Sequence, residues 1–130
     1  MKIKVKNLSK KFLIYGLGKS GISSLKYLKQ NNKCFIFDDN KKKLNNKFKR
    51  FFISKSKLLN SNFDHIVISP GININRCQLS DYLKKNQKKV ITDLDIFFKF
   101  NPDNLTITIT GTNGKSTTSK LLYEILKKHN

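Results

Sequence analysis

Residues 11–15, KFLIY, run directly into GLGKSG, and no other stretch of the chain narrows the fold as far. A short apolar run reads as a buried strand, and the amphipathic stretch 19–31 behind it carries Ile22, Leu25 and Leu28 on one face of a helix. Gly16, Gly18 and Gly21 stand between them in GxGxxG spacing. In a strand–loop–helix unit these glycines permit a tight turn, let the backbone approach an anionic group, and allow the helix to pack close to the strand. The amino terminus of the helix adds free N–H groups and the positive end of its dipole. The second apolar run, CFIF at 34–37, ends in Asp38 and Asp39. Acidic groups about 20 residues past such a loop hold the ribose in dinucleotide enzymes, and the same place suits another nucleotide's sugar or base.

Further along, short apolar runs continue to alternate with amphipathic stretches, the pattern of a parallel α/β sheet. Residues 41–50 are lysine-rich and read as a short helix or a loop, a weak strand is expected near 51–53, and HIVIS at 65–69 is a clear strand. Ser69, Pro70 and Gly71 break it, because proline cannot extend a central ladder and glycine tolerates a tight turn. Residues 77–87 read as a helix with Leu79, Tyr82 and Leu83 on its apolar side. Residues 89–92 read as a short strand, and Asp93 as the cap of a brief helix through Phe98. The turn chemistry of Asn101-Pro102-Asp103-Asn104 marks a boundary. Residues 1–103 then form one small domain, and residues 104–130 open another with a strand at TITIT, 106–110, and a helix at 115–129. Leu121, Leu122, Ile125 and Leu126 would face the core of that second unit.

The loop between that strand and helix is GTNGKST, Gly111 to Thr117. Its Gly-Lys-Ser end matches a phosphate-binding loop. Backbone N–H groups around Gly114 would cradle phosphates, Lys115 would sit on the outer ones, and Ser116 would reach a magnesium ion. The full G-x-x-x-x-G-K-[ST] form asks for glycine where this chain has Ile109. A dinucleotide-type loop followed by an ATP loop suggests an enzyme that holds a nucleotide-linked substrate in one domain and ATP in the next.

Charge is the other constraint, since 27 basic against 8 acidic residues give a formal net charge of +19. Such a surface attracts polyanions. The basic residues are nearly all lysine, with Arg50 and Arg76 the only arginines, and they are spread along the chain. Specific nucleic-acid recognition favours arginine forks and interleaved aromatics on one element, so none is expected. Cys34 and Cys77 read as buried or half-buried thiols in a reducing compartment. No run approaches the roughly 20 apolar residues of a membrane span, and a cytoplasmic protein is expected.

The order GLGKSG, FIFDD, VISPGI, ITDLDIFF and ITGTNGKSTT resembles the amino-terminal portion of the Mur ligases, from about Lys11 to the last residue. GTNGKST is specific to that superfamily and accounts for Ile109, while the glycine-rich start with Ser69-Pro70-Gly71 points to the branch that adds D-glutamate. The resemblance implies a Rossmann-like domain that binds the UDP end of UDP-N-acetylmuramoyl-L-alanine, followed by the opening strand, P-loop and helix of a truncated ATP-binding central domain. It implies that Gly18, Lys19, Ser20 and Gly21 hold the diphosphate, that Asp38 and Asp39 lie at the uracil, and that Ser69, Pro70 and Gly71 line the same pocket. Where the family often has threonine or serine and then arginine, this chain has Asp39 and Asn40.

ATP would bind at Gly111, Thr112, Asn113, Gly114, Lys115, Ser116 and Thr117, with Lys115 as the catalytic cation and Ser116 or Thr117 on Mg2+. The reaction implied is ATP-dependent amide formation with D-glutamate through an acyl phosphate, a step of peptidoglycan precursor synthesis. The family's metal-binding glutamate and histidine, its carbamylated lysine and its carboxy-terminal domain have no counterpart here, so a fragment inactive alone is expected. His65 reads as a packed or capping histidine. An NAD(P)-binding oxidoreductase or regulatory domain, and a small nucleotide- or nucleic-acid-binding module, are the alternatives from other classes.

Overall fold

The computed structural model describes residues 9–40, 44 and 46–129. The chain enters strand β1 (Lys11–Tyr15), turns through the glycine loop into helix α1 (Lys19–Leu28), and returns as β2 (Lys33–Phe37). A 3-10 helix (Asn46–Phe51) and a short α2 (Lys55–Leu59) lead to β3 (His65–Ile68). Then follow α3 (Ser80–Lys85), the two-residue β4 (Val90–Ile91), α4 (Asp93–Phe100) and finally α5 (Lys115–His129). The four strands are parallel in the order β2-β1-β3-β4. This is the α/β, Rossmann-like sheet that the alternating pattern anticipates.

Because the chain steps from β1 outward to β2 and then back across to β3 and β4, the direction of winding reverses once. Right-handed crossovers then send α1 to one face and α2 and α3 to the other. The side chains of β1 record both faces. Leu13 and Tyr15 join Phe37, Leu58, Phe63, Ile66, Leu79 and Leu83 in one buried cluster. Phe12 and Ile14 join Leu25, Leu28, Ile36, Val67 and Ile96 in the other. A central strand buried on both faces needs an apolar residue at every position, which is why KFLIY shows no alternation.

Several boundaries differ from the expected ones. The α1 helix ends at Leu28 rather than near residue 31, and the predicted strand at 51–53 is reduced to one parallel bridge between Ile36 and Phe52. Residues 41–43 and 45 of the lysine-rich stretch lie outside the described residues, and α2 is an element that the sequence reading passed over. The cap of α4 is Thr92, not Asp93. Its hydroxyl oxygen accepts from Asp95 N, while the Asp95 carboxylate accepts from Thr92 N at 2.7 Å and from the Thr92 hydroxyl at 2.8 Å, and the two bonds to the carboxylate hold the Asp95 pKa below the ordinary value.

The largest difference is at 106–110, where no strand forms. A strand is held by ladder bonds to a neighbour, and none of the described strands pairs with this segment. Leu105 is fully exposed, Ile107 is exposed, and α5 has no buried residue although Leu121, Ile125 and Leu126 were expected to face a core.

His65 opens β3, its ring 5.2 Å from that of Phe12, and Lys99 of α4 lies with Nζ 3.1 Å from His65 Nε2. An ammonium group only donates, so Nε2 carries a lone pair and the ring is neutral. Burial first, then the charges of Lys99 and Lys10, lower the His65 pKa from its ordinary 6.5 against a smaller opposing effect of Asp64. The unfolded chain therefore binds more protons in the window just below pH 6.5, and stability falls as pH drops through it. Urea midpoints are expected to be lower at pH 5.5 than at pH 7.5, with a smaller difference in His65→Gln; an equal difference in both chains would refute this assignment.

Candidate functional site

In an open parallel sheet, ligands settle beyond the carboxyl ends of the strands, where the winding reverses. Here that point lies between β1 and β3, so the loops that follow these two strands face each other. Gly16, Gly18, Lys19 and Ser20 from the first loop and Ser69, Pro70, Gly71 and Ile72 from the second line one cavity of about 280 Å³. Six of the residues expected at the UDP pocket, Gly18, Lys19, Ser20, Ser69, Pro70 and Gly71, are thus brought together from two distant stretches.

Hydrogen bonds set the two loops against each other. Ser69 N donates to Tyr15 O at 3.0 Å, and the buried Ser69 hydroxyl donates to Gly16 O at 3.0 Å. Gly16 has φ of 99°, and a Cβ built on it would lie 2.8 Å from Ser69 Cβ and Oγ. Gly21 does not line the cavity; it lies behind the loop, where its own Cβ would come within 1.8 Å of Gly16 O. Gly18 serves a third purpose, since a Cβ there would meet nothing within 4 Å and its absence leaves the mouth of α1 open. Gly18 caps α1 without a side-chain bond, and the first turn has no acidic residue, which suits that terminus to an anion.

Asp38 and Asp39 lie at the end of β2, on the other side of β1 from β3, and outside the cavity lining. The buried Asp38 carboxylate accepts from Leu17 N at 2.6 Å and from Asn40 N at 2.8 Å, so it shapes the glycine loop from behind. Asp39 accepts from the Tyr15 hydroxyl at 2.6 Å and from Gln78 N at 3.2 Å. Tyr15, Gln78 and Ile72 are contributors that the sequence reading missed. A tyrosine ending a buried strand reads as core, and only its hydroxyl, aimed at an aspartate 24 positions away, shows otherwise. Burial first, then the bond to Asp39 and the nearby Cys77, push the Tyr15 pKa far above the ordinary tyrosine range, so it stays a donor. Cys34 is buried and Cys77 half-buried, and burial raises the Cys34 thiol to about 11.

The second loop is exposed from Gly111 to Thr117. Gly111 and Gly114 adopt φ of 141° and 76°, and a Cβ on Gly114 would meet nothing within 4 Å. Side-chain-bearing residues rarely adopt these conformations, so the two glycines set the path of the loop. The Lys115 ammonium folds over the loop and donates to Gly111 O and, at 3.3 Å, to Thr112 O. Ser116 and Thr117 are on the exposed first turn of α5. An ammonium and two hydroxyls are the side-chain types that a polyphosphate and a hard cation take. None of the described helices is long and apolar enough to cross a membrane.

Residues 10–92 match the family described as Mur ligase MurD-like, N-terminal domain. Among curated proteins, the chain is 38% identical over 119 residues to UDP-N-acetylmuramoylalanine–D-glutamate ligase of Aquifex aeolicus, covering 91% of this chain and 26% of that one. The protein of the same name from Caldicellulosiruptor saccharolyticus is 32% identical over 130 residues, covering 92% and 28%. The one from Rickettsia bellii is 34% identical over 117 residues, covering 87% and 26%. No solved structure gives a significant match. The chain thus spans about a quarter of the length of these relatives. A glycine loop and a Ser-Pro-Gly turn facing each other at the switch point accord with this match, and the chain belongs to the Mur ligase family, with residues 10–92 as its MurD-like amino-terminal domain.

Proposed function

We propose that this chain serves peptidoglycan precursor synthesis as the substrate-holding portion of a D-glutamate-adding Mur ligase. Residues 1–103 would form the UDP-binding domain and residues 104–130 the opening of the ATP-binding domain. The observation that carries the reading is the single cavity shared by the loops after β1 and β3. It offers the α1 amino terminus and Lys19 to a diphosphate, and open space at Gly18 and Gly71 for the groups attached to it. The names of the relatives supply the substrate class, a UDP-linked acyl amino sugar and D-glutamate.

At the second loop, the N–H groups of Gly111 to Gly114 and the Lys115 ammonium would hold the phosphates of ATP, and the hydroxyls of Ser116 and Thr117 would hold Mg2+. Bound ATP would supply the phosphoryl group that activates the substrate carboxylate as an acyl phosphate, leaving ADP, and the amine of D-glutamate would displace inorganic phosphate and lose a proton as the amide forms. Lys115 is suited to stabilise charge on the phosphoryl oxygens during transfer, because its flexible stem can leave the carbonyls of Gly111 and Thr112 for a stronger anionic partner. A cytoplasmic setting suits the nucleotide substrates. Residues 1–130 alone are expected to bind and not to ligate, since α5 and its loop are exposed with no core around them.

Titration of the isotopically labelled chain, followed by backbone amide signals, tests this. UDP-N-acetylmuramoyl-L-alanine is expected to shift Gly18–Gly21 and Ser69–Gly71, and NAD to leave them in place. A response to NAD alone would overturn the reading in favour of a dinucleotide-binding domain, and D-glutamate-dependent ATP turnover by these residues would refute the expected inactivity.

A further inference from the structure

We infer that the cavity at the amino-terminal end of the sheet is a second small-molecule site, for an aromatic carboxylate of about benzoate size. The nucleotide cavity lies past the other ends of the strands, so the two sites are independent.

Four elements stop or start around this cavity. Helix α1 ends at Leu28, Asn31 and Asn32 lead into β2, Lys10 leads into β1, and α4 ends at Phe100. The connecting helices of a parallel sheet run back against its strands, so the ends of α1 and α4 lie beside the starts of β1 and β2. They enclose about 240 Å³. Phe12 and Leu28, the buried part of the lining, form its floor. The rings of Tyr27 and Phe100 stand in its wall and meet edge to face, with centroids 5.8 Å apart.

Size and wall set the body of the ligand. A cavity of about 150 Å³ lined by apolar side chains admits benzene, so this one has room for a ring and a small polar group. Tilted aromatic walls favour a further ring through edge-to-face and offset contacts.

Charge sets the polar group. Lys10 and Lys99 both line the cavity, and no acidic residue is among the described residues that do. The Lys99 ammonium lies 3.1 Å from His65 Nε2, a neutral acceptor that takes one of its three hydrogens and leaves two. The carbonyl end of α1 would oppose an anion, but the Leu28 carbonyl already accepts from Asn31 N at 3.3 Å and from Asn32 Nδ2 at 3.1 Å. Asn32 Oδ1 in turn accepts from Lys10 N at 3.2 Å, which ties the start of β1 to the turn before β2. An inorganic anion would leave the rings uncovered, and a neutral arene would leave the ammonium groups unanswered. An aromatic carboxylate satisfies both. The charges of Lys99 and Lys10 lower the His65 pKa and Asp64 raises it, so a carboxylate bound beside the two lysines would offset them and let His65 titrate at higher pH.

The test is an NMR titration of the 130-residue chain with benzoate, benzamide and inorganic phosphate, followed at the Asn31 and Asn32 amides and the His65 ring. Benzoate is expected to bind with a Kd of about 1–10 mM, the scale of a small fragment, and to leave the Gly18–Gly21 amides in place. The His65 titration should move to higher pH in its presence. Lys99→Gln and Lys10→Gln, on different elements, should each weaken benzoate about fivefold, the upper range for an exposed charge pair. Phe100→Ala should weaken benzoate about threefold through the lost ring contact and leave any response to phosphate unchanged. Both side chains of α4 chosen here are exposed, so these substitutions spare the core. No movement of the Asn31, Asn32 and His65 signals in about 20 mM benzoate would overturn the inference. So would equal affinity for benzamide or phosphate, or benzoate affinity unchanged by Phe100→Ala or by both lysine substitutions.

Discussion

Gly21→Ala is expected to destabilise the fold by about 3 kcal/mol, the upper range for an overpacked site. The added Cβ would lie 1.8 Å from Gly16 O and 3.0 Å from Ser69 Oγ. Neither can yield cheaply. The Gly16 carbonyl is backbone and accepts from the Ser69 hydroxyl, and Gly16 N is bound to Phe37 O at 2.9 Å, so moving it disturbs β1, β2 and the second loop together. The alternative is for α1 to lift away, which would open the cluster around Leu25 and Leu28. Gly18→Ala is the control. Its backbone has φ of −70°, accessible to any residue, and open space stands where the Cβ would go. That variant should keep stability within about 0.5 kcal/mol while crowding the cavity mouth. Guanidinium unfolding of both variants measures the contrast, and similar midpoints for the two would show that α1 does not pack on the loop as described.

Asp38→Ala is expected to cost about 2–3 kcal/mol, because it removes a charged acceptor and strands a buried donor. Leu17 is 4% exposed, and its N–H is satisfied by Asp38 Oδ2 at 2.6 Å. Without the carboxylate, that N–H has no water to turn to, and the Asn40 N–H loses its 2.8 Å partner as well. Asp38→Asn, which retains one acceptor oxygen, should lose roughly half as much by the same reasoning. Hydrogen exchange at the Leu17 amide reports the bond directly. Faster exchange in Asp38→Ala than global destabilisation explains is the expected result, and an unchanged rate relative to Leu13 would contradict the assigned role.

These two residues also show what a one-dimensional reading can hold. The spacing of Gly16, Gly18 and Gly21 after KFLIY was legible as a strand–loop–helix unit because it rests on local requirements, a positive φ, an open helix mouth and a close approach. The division of labour among the glycines was not legible, since it depends on what lies opposite each one. Asp38 and Asp39 were visible as an acidic end to β2, but the separate donors each one holds, Leu17 N for Asp38 and the Tyr15 hydroxyl and Gln78 N for Asp39, were not. Likewise TITIT has the composition of a strand, but composition supplies no partner, and residues 106–110 stay unpaired.

By itself, the sequence determined the parallel α/β sheet, the helix after each phosphate-type loop and the two faces of β1, because apolar runs, glycine spacing and amphipathic period act over a few residues of chain. Only the tertiary structure decided that Ser69 reaches Gly16 across 53 positions, that one cavity joins the loops after β1 and β3, and that the Tyr15 hydroxyl meets Asp39. Those contacts arise from the order in which strands lie side by side, and strand order is a property of the closed sheet rather than of any local stretch.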